Sequence, residues 1–172
     1  MKVKGTAVTS TMDYVKNNHP ESYDSWIESL PDESQKLLKN FVLPSKWYPA
    51  REALVEPTKA ICDLFFNGDV KGAWQTGKTS ATNALTGIYK VFVRAGSPAF
   101  IIKKAKRIFS TYYDPSEIEV ERVSSRVLNV KLIKFPCDDI YIENRIGGWI
   151  ECAMEISLDN EVKNSRKQSK EK

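Results

Sequence analysis

Apolar and polar residues alternate in one part of this sequence, residues 117–134. Ile118 and Val120 alternate with glutamates, and a second alternating run extends from Leu128 to Leu132. A period of two is typical of β-strands, and two short runs separated by a pair of serines predict a β-hairpin. Over most of the remaining sequence, apolar side chains recur every three or four residues, which is helical spacing. The chain is therefore expected to adopt an α+β fold with a small antiparallel sheet.

Helical periodicity on both sides of the hairpin predicts what covers this sheet. An apolar stripe over residues 50–65 predicts a long amphipathic helix that could bend at Pro57, and another helix is expected over about 70–94. After the hairpin, residues 142–156 return to helical spacing and predict a C-terminal helix. We expect N-terminal and central helices to pack against the hairpin of about 117–134, with the C-terminal helix following it.

The size and composition of the chain are those of one ordinary globular domain. It has 172 residues, of which 41% are hydrophobic and 28% charged. We assign residues 1–158 to a single α+β domain. Residues 159–172 are polar and rich in lysine, so we expect a disordered tail or a residual strand there.

Charge and cysteine content narrow the class of protein. The net charge of +4 is a mild excess and is no strong signal for nucleic-acid binding. Cys62, Cys137 and Cys152 lie far apart, and His19 is the single histidine, so a structural zinc site is disfavoured. We expect reduced, mostly buried thiols, with one reactive thiol as the alternative. The sequence shows neither an apolar signal region nor a membrane span, and we expect a cytoplasmic protein.

The stretch GAWQTGKT, residues 72–79, matches the phosphate-loop pattern G-x-x-x-x-G-K-[ST] at every specified position. In a working loop, Gly72, Gly77, Lys78 and Thr79 would bind the phosphates of a nucleotide. Such a loop requires a buried strand before it and a helix after it, because the backbone N–H groups must converge on the anion. The preceding residues, NGDVK, form no hydrophobic strand. We therefore favour a helix in which the two glycines pack closely on a neighbouring element.

Gly147 and Gly148 lie in the middle of the C-terminal helical pattern. A glycine inside a helix costs about 1 kcal/mol relative to alanine, so two adjacent glycines require a compensating role. We expect them to permit the close approach of another backbone. A homodimer built on this helix is one arrangement in which that approach would occur.

Several aromatic residues are candidates for a ligand site. Trp47-Tyr48-Pro49 stands before a helix and could either line the mouth of a pocket or anchor the chain as buried side chains. The aromatic residues at helix faces and ends that we select as candidates near a cavity are Trp47, Tyr48, Phe92, Tyr112 and Trp149. The sequence offers no nucleophile with an assignable base, so no catalytic residue is assigned and an enzyme is disfavoured.

The motifs WYP, GKTSA, GSPAFIIKKAKRIFSTYYD, a hairpin and IGGWIECAMEISL occur in that order along the chain. With them, residues 1–158 resemble bacterial proteins related to the heme-NO-binding, 4-vinyl-reductase and TRAPP-type ligand-binding fold. The resemblance implies helices packed on an antiparallel sheet, often around an apolar cavity that holds a cofactor, a small molecule or an acyl chain. It also implies a role in signalling or assembly rather than catalysis.

Heme is a disfavoured cofactor within this resemblance. The heme-binding branch requires a proximal histidine on a helix and a Y-x-S-x-R motif, whereas this chain has His19 between two short helices and no such motif. The cofactor, if one exists, remains unassigned.

Three hypotheses for the function follow. The leading one is a cytoplasmic, non-catalytic domain, similar to 4-vinyl-reductase domains, that binds a small apolar ligand in a cavity and acts in sensing or signalling. The second is a protein–protein interaction or scaffolding module, such as a homodimer. The third is a nucleotide-binding protein that uses Gly72–Thr79.

Overall fold

The computed structural model describes residues 1–86, 106–124 and 127–168. Helices account for most of these residues, and the strands form two small antiparallel sheets. A long C-terminal helix follows the second sheet. The predicted α+β fold class is therefore confirmed.

The first sheet joins segments that are far apart in the sequence. Strand β1 (Lys2–Lys4) lies between β2 (Trp47–Pro49) and β3 (Tyr113–Asp114), and both neighbours are antiparallel to it. Val3, which is fully buried, is the central residue of β1 and pairs with a tyrosine on each side. The strands are short, so this sheet is held mainly by the helices that pack against it.

The N-terminal helices form one side of the core. Their bounds are Gly5–Asn18 for α1, Tyr23–Glu28 for α2 and Asp32–Lys39 for α3, with a 3₁₀ turn at Pro20–Ser22. Trp26 of α2 is completely buried, and its indole N–H donates to the carbonyl oxygen of Pro57 at 3.2 Å. This hydrogen bond satisfies the only polar group of a large core side chain and connects α2 to the α-helix that spans Glu56–Phe65.

The predicted helix over 50–65 is present with an irregular first part. Residues Arg51–Val55 form a π-helical turn, and the α-helix α4 spans Glu56–Phe65. Pro57 has no N–H to donate to the preceding turn, so the hydrogen-bonding pattern changes close to it. The helix ends before Asn67 and Gly68, which both have positive φ, at 53° and 81°.

The predicted hairpin is confirmed. Strand β4 (Ile118–Arg122) pairs antiparallel with β5 (Leu128–Leu132), and Val120 faces Val130 across the ladder. Because alternate residues share one face of a strand, Ile118 and Val120 lie on the same side of the hairpin as Val130. This apolar side is turned toward the C-terminal helix, with which it lines a common cavity.

The C-terminal helix, α6, spans Ile140–Gln168. Asp139 caps its start, because its carboxylate accepts the backbone N–H groups of Tyr141 at 2.9 Å and Ile142 at 3.4 Å. The prediction of a disordered tail or residual strand over 159–172 was wrong for residues 159–168, which continue this helix. Lysine, glutamate, arginine and glutamine are good helix formers, and extending a helix that already exists avoids the cost of nucleation.

Helix α5 (Lys71–Thr86) and α6 make the most extensive helix–helix contact of the described residues. Their glycines are placed where the two backbones touch. A Cβ at Gly77 would overlap the carbonyl oxygen of Arg145, and a Cβ at Gly148 would overlap the carbonyl oxygen of Trp74. At Gly147, a Cβ would meet the Trp74 ring at 2.5 Å. The predicted close approach of another backbone is therefore confirmed for Gly77 and Gly148, whereas the neighbour of Gly147 is the Trp74 side chain.

The partner of these glycines is a helix of the same chain. The glycine face of α6 is covered by Trp74 and Gly77 of α5. The close packing that motivated a homodimer on this face is therefore already made within one molecule, and it no longer supports that arrangement. The physical reason is that α5 carries its own glycine at the matching position.

Candidate functional site

An apolar cavity of about 80 Å³ lies between α6, the hairpin and the segment that leads into β3. Helix α6 contributes Ile146, Trp149 and Met154, and the hairpin contributes Ile118, Val120 and Val130. On the other side lie Ile108, Phe109, Tyr112 and Tyr113. The cavity exceeds the ~10–15 Å³ that one water requires and is about half of the ~150 Å³ that accommodates benzene. It therefore suits a compact ligand of few non-hydrogen atoms.

Arg145 brings a positive charge to this apolar wall. The residue is only 2% exposed and lines the cavity. One terminal nitrogen, Nη2, donates to the carbonyl oxygen of Ala7 at 3.2 Å, whereas Nη1 is buried and has no hydrogen-bond partner within the described part of the chain. A buried, charged donor without an acceptor is costly to the fold.

Within the described residues, no carboxylate forms an ion pair with Arg145. The sequence of the remaining internal residues, 87–105 and 125–126, contains no aspartate or glutamate. The next acidic residue beyond the described side chains of α6 is Asp159, about 20 Å further along the helix at ~1.5 Å per residue. The charge of Arg145 thus has no counterion within reach in this part of the chain.

Two tyrosines set the electrostatic surroundings of the guanidinium. Burial lowers the pKa of Arg145, and this change is opposed by electrostatic interactions with Tyr113 and Tyr112 and by a side-chain hydrogen bond with Tyr113. Burial likewise raises the pKa of Tyr113, against the effect of the arginine charge. An arginine remains protonated in proteins, so the cavity presents a cation beside neutral phenols at neutral pH.

Trp149 adds a second buried donor. Its indole N–H has no hydrogen-bond partner among the residues that the structure describes, and its ring lines the cavity. The ring makes an edge contact with Tyr112, with centroids 6.0 Å apart. Because Arg145 and Trp149 are four residues apart on one helix, their side chains lie on the same face. Both residues therefore line one apolar space, although neither unpartnered nitrogen is itself exposed to it.

Of the five aromatic residues selected from the sequence, the structure brings two to this cavity. Tyr112 and Trp149 line it, and Phe92 lies outside the described residues. Trp47 and Tyr48 do not line this cavity, because they belong to an edge strand of the other sheet. Trp47 borders a separate groove, with the ammonium of Lys4 4.5 Å from its ring centroid, and is 38% exposed.

The Tyr48 hydroxyl makes a hydrogen bond with the backbone of the loop before its strand. Its hydroxyl oxygen accepts the backbone N–H of Leu43 at 2.8 Å, and the side chain is half-buried. The sequence placed Trp47-Tyr48-Pro49 at a loop-to-helix junction. Local pattern did not show that this tripeptide pairs with the N-terminal strand, since that pairing joins residues more than forty positions apart.

The stretch that matches the phosphate loop, 72–79, lies entirely inside helix α5. No strand precedes it among residues 56–71, because α4 and a turn occupy that part of the chain. Gly72 packs against Phe66 and Cys62 of α4, and Gly77 packs against α6. The expectation of a helix with two closely packed glycines is confirmed, and the backbone N–H groups are not arranged around an anion.

Lys78 of this stretch binds carboxylates on α6. Its ammonium lies 3.1 Å from Glu151 and 3.1 Å from Glu155, and these contacts raise its pKa. Glu151 also accepts the indole N–H of Trp74 at 2.6 Å, and that hydrogen bond is the main cause of its lowered pKa. Lys78 therefore joins two helices at the surface.

We expect millimolar Mg-ATP to leave the melting temperature of the protein unchanged, because Lys78 is paired with α6 and residues 72–79 form no phosphate-binding loop. Lys78→Ala should lower the melting temperature slightly and in a salt-dependent way, since it removes exposed ion pairs. Differential scanning fluorimetry measures both effects, with the exposed Lys71→Ala on the same helix as the control. A rise with Mg-ATP that disappears in Lys78→Ala would restore the nucleotide hypothesis.

The cysteines and the histidine lie in ordinary packing environments. Cys62 and Cys152 are buried, Cys137 is half-buried, and all three are free thiols. Burial raises the pKa of Cys62 to about 11, which disfavours the reactive thiolate. His19 stacks on Phe65 with centroids 3.9 Å apart.

Two further kinds of site are not seen in the described residues. No cluster of histidine, cysteine and acidic residues suited to a metal ion occurs among them. None of their helices combines the length and apolar character that crossing a membrane requires.

Arg145, the residue that most distinguishes this cavity, was not among those selected from the sequence. A signal was present, because Arg145 follows Ile142 by three residues and precedes Trp149 by four, inside an apolar stripe. An arginine at such a position predicts either a buried charge or a side chain that extends to the surface. Only the packing of α6 against the hairpin and α1 decided between them.

No protein-family model matches this sequence, and no curated protein is significantly similar to it. Its function is therefore inferred from its own geometry.

Proposed function

We propose that this protein is a non-catalytic domain that binds a small, predominantly apolar ligand in the cavity between α6 and the hairpin, as a sensory or signalling module. The observation that carries the proposal is the cavity itself. Its walls are aliphatic and aromatic, with few polar groups, which is the usual composition of small-molecule sites. Its volume of about 80 Å³ suits a ligand smaller than benzene.

The elements around the cavity also support a sensory role. The two-stranded hairpin and α6 belong to different parts of the fold and meet at this space. A ligand that contacts both would favour one relative position of these elements over another, which is how binding becomes a signal. The resemblance to the 4-vinyl-reductase and TRAPP-type ligand-binding fold agrees with this proposal.

Catalysis receives no comparable support. The single histidine of the chain, His19, stacks on Phe65 and does not line the cavity. Cys62 has its pKa raised by burial. The groups that line the cavity can bind and orient a molecule, whereas the described residues provide no base there to activate a nucleophile.

Native mass spectrometry of the protein purified from the organism that encodes it tests the proposal. We expect a retained small-molecule mass in the wild-type protein and its loss in Val130→Phe, whose ring would fill the cavity. Val127→Phe is the matched control, because Val127 lies beside the same hairpin strand and is 49% exposed. No retained mass, or an equal mass in all three proteins, would contradict binding in this cavity.

A further inference from the structure

We infer that an open groove between α1, α2 and the segment that follows α3 binds an amphipathic helix of a partner protein, one that carries lysine or arginine beside its apolar face. We call it the N-terminal groove, and its volume is about 680 Å³. Its described lining residues lie between Thr9 and Val42, and none of them lines the cavity of the proposed function. The inference goes beyond that function, because it concerns a different surface.

The bottom of the N-terminal groove is apolar. Ile27, Leu38 and Val42 are buried beneath it, and Met12 is half-buried beside them. Phe41 also lines the groove and is 84% exposed, more than any other large apolar residue that the structure describes. An apolar groove between helices, with an exposed aromatic ring beside it, suits the apolar face of an amphipathic helix.

The size of the groove agrees with such a partner. On α1 the lining extends from Thr9 to Lys16, which is about 10 Å of helix axis at ~1.5 Å per residue. That distance corresponds to about two turns of a partner helix. Two turns present three or four apolar side chains on one face.

Charge sets the chemistry of the polar side of the partner. The charged residues that line the groove are Asp13, Lys16, Asp24, Glu28 and Lys39. Both ammonium groups already have contacts within the protein, because that of Lys16 lies 4.9 Å from the Tyr23 ring centroid and that of Lys39 donates to Gln35 at 2.9 Å. The three carboxylates form no ion pair with any residue that the structure describes. The partner groups that complement them are cations.

Two of these carboxylates act on the same part of the groove although they belong to different helices. Burial raises the pKa of Tyr23, and the charges of Asp24 and Asp13 raise it further. Asp13 lies on α1 and Asp24 on α2, so their charges meet across the groove. A lysine or arginine of a helix lying between α1 and α2 would interact with both.

The same charges disfavour other large partners. Nucleic acids and anionic membranes would bring negative charge against three unpaired carboxylates, which is repulsive. The whole chain carries a net charge of +4, so a basic helix has no general attraction to this protein. Binding of a basic helix would therefore depend on the local charge and the apolar surface of the N-terminal groove.

A ¹H–¹⁵N NMR titration of the full-length protein tests the inference. The probe is a synthetic helical peptide of about 14 residues, built of leucine and lysine with leucine on one face. A second peptide has glutamate in place of every lysine, and a third has the first composition in an order without an apolar face. We expect saturable shifts at the residues of the N-terminal groove with the first peptide, and a Kd about 10-fold lower than for either of the others.

Substitutions at exposed positions identify the surface without disturbing the fold. Phe41→Ala should weaken binding of the basic peptide about 10-fold, whereas Leu64→Ala, at a position on α4 that is 48% exposed and outside the described lining, should leave it unchanged. Glu28→Gln should weaken binding and reduce its salt dependence, and the exposed Glu21→Gln is its control. Dispersion of the amide signals shows that each variant is folded.

Three results would overturn the inference: shifts spread over the whole surface, equal affinity for the basic and acidic peptides, or unchanged affinity in Phe41→Ala. Shifts at the same groove that depend on protein concentration, without any peptide, would show that a second copy of the chain occupies it. That result would also contradict a basic helix of another protein as the partner.

Discussion

Gly77→Ala is expected to lower the free energy of unfolding by about 3 kcal/mol, which for a chain of this size is a fall in melting temperature of about 6–12 °C. Alanine would recover about 1 kcal/mol of helix propensity, but its methyl group overlaps the carbonyl oxygen of Arg145. The group it meets is backbone, so no change of rotamer relieves the overlap. Helices α5 and α6 must then separate, and apolar surface along both is exposed.

Gly72→Ala is the matched control for this experiment. It lies in the same helix and gains the same propensity, but its methyl group would first meet the Phe66 ring at 2.7 Å and the Cys62 sulfur at 3.0 Å. These are side-chain atoms that can move by rotation, so we expect a smaller loss of about 1 kcal/mol. Thermal or urea unfolding measures both. Equal losses in the two variants, or a neutral Gly77→Ala, would show that the helices are not in backbone contact at Gly77.

Arg145→Met is expected to raise the free energy of unfolding of the ligand-free protein by about 2 kcal/mol. The reason is that it removes a buried charge that has no counterion among the described residues and replaces it with an apolar side chain of similar length. Loss of the hydrogen bond to Ala7 leaves no unsatisfied acceptor, because the Ala7 carbonyl also accepts the Thr11 hydroxyl at 2.9 Å. Loss of the hydrogen bond with the Tyr113 side chain offsets part of the gain. A stabilising substitution at a fully buried position is unusual, so the sign of the effect is informative.

Arg145→Lys is the control for that measurement, since it keeps the charge and should bring no gain in stability. Unfolding by urea, with an unchanged m-value, reports the difference directly. A decrease of about 1 kcal/mol or more in Arg145→Met, the size of an ordinary buried hydrogen bond, would mean that Arg145 serves the fold rather than a ligand. An increase in the free energy of unfolding of Arg145→Met would indicate that Arg145 lowers the stability of the protein and is kept for another role, such as binding.

Local patterns predicted the fold class and several elements of this protein. Alternation over 117–134 predicted the hairpin, and helical spacing after it predicted the C-terminal helix. The phosphate-loop pattern at Gly72–Thr79 was correctly interpreted as helix. The sequence shows that no hydrophobic strand precedes the pattern, and a phosphate-binding loop requires one. Each of these features depends on residues close together in the chain.

The candidate site was only partly predictable. Tyr112 and Trp149 were selected and do line the cavity, whereas Trp47 and Tyr48 joined a strand whose partner is the N-terminus. Arg145 was missed, although it stood inside an apolar stripe. Sequence spacing shows which face of a helix a residue shares, but it does not show what covers that face.

The sequence by itself determined that the chain forms helices with a small antiparallel sheet, and that its helical glycines pack closely on a neighbouring element. The spacing of apolar residues and the helix-propensity penalty of glycine are local properties. They can be evaluated from the sequence without knowing which element packs against the helix. The tertiary structure decided that the partner of Gly148 is Trp74 of the same chain, and that Arg145 is enclosed without a counterion among the described residues. Burial and charge pairing depend on segments that are distant in sequence, and these meet only when the chain is folded.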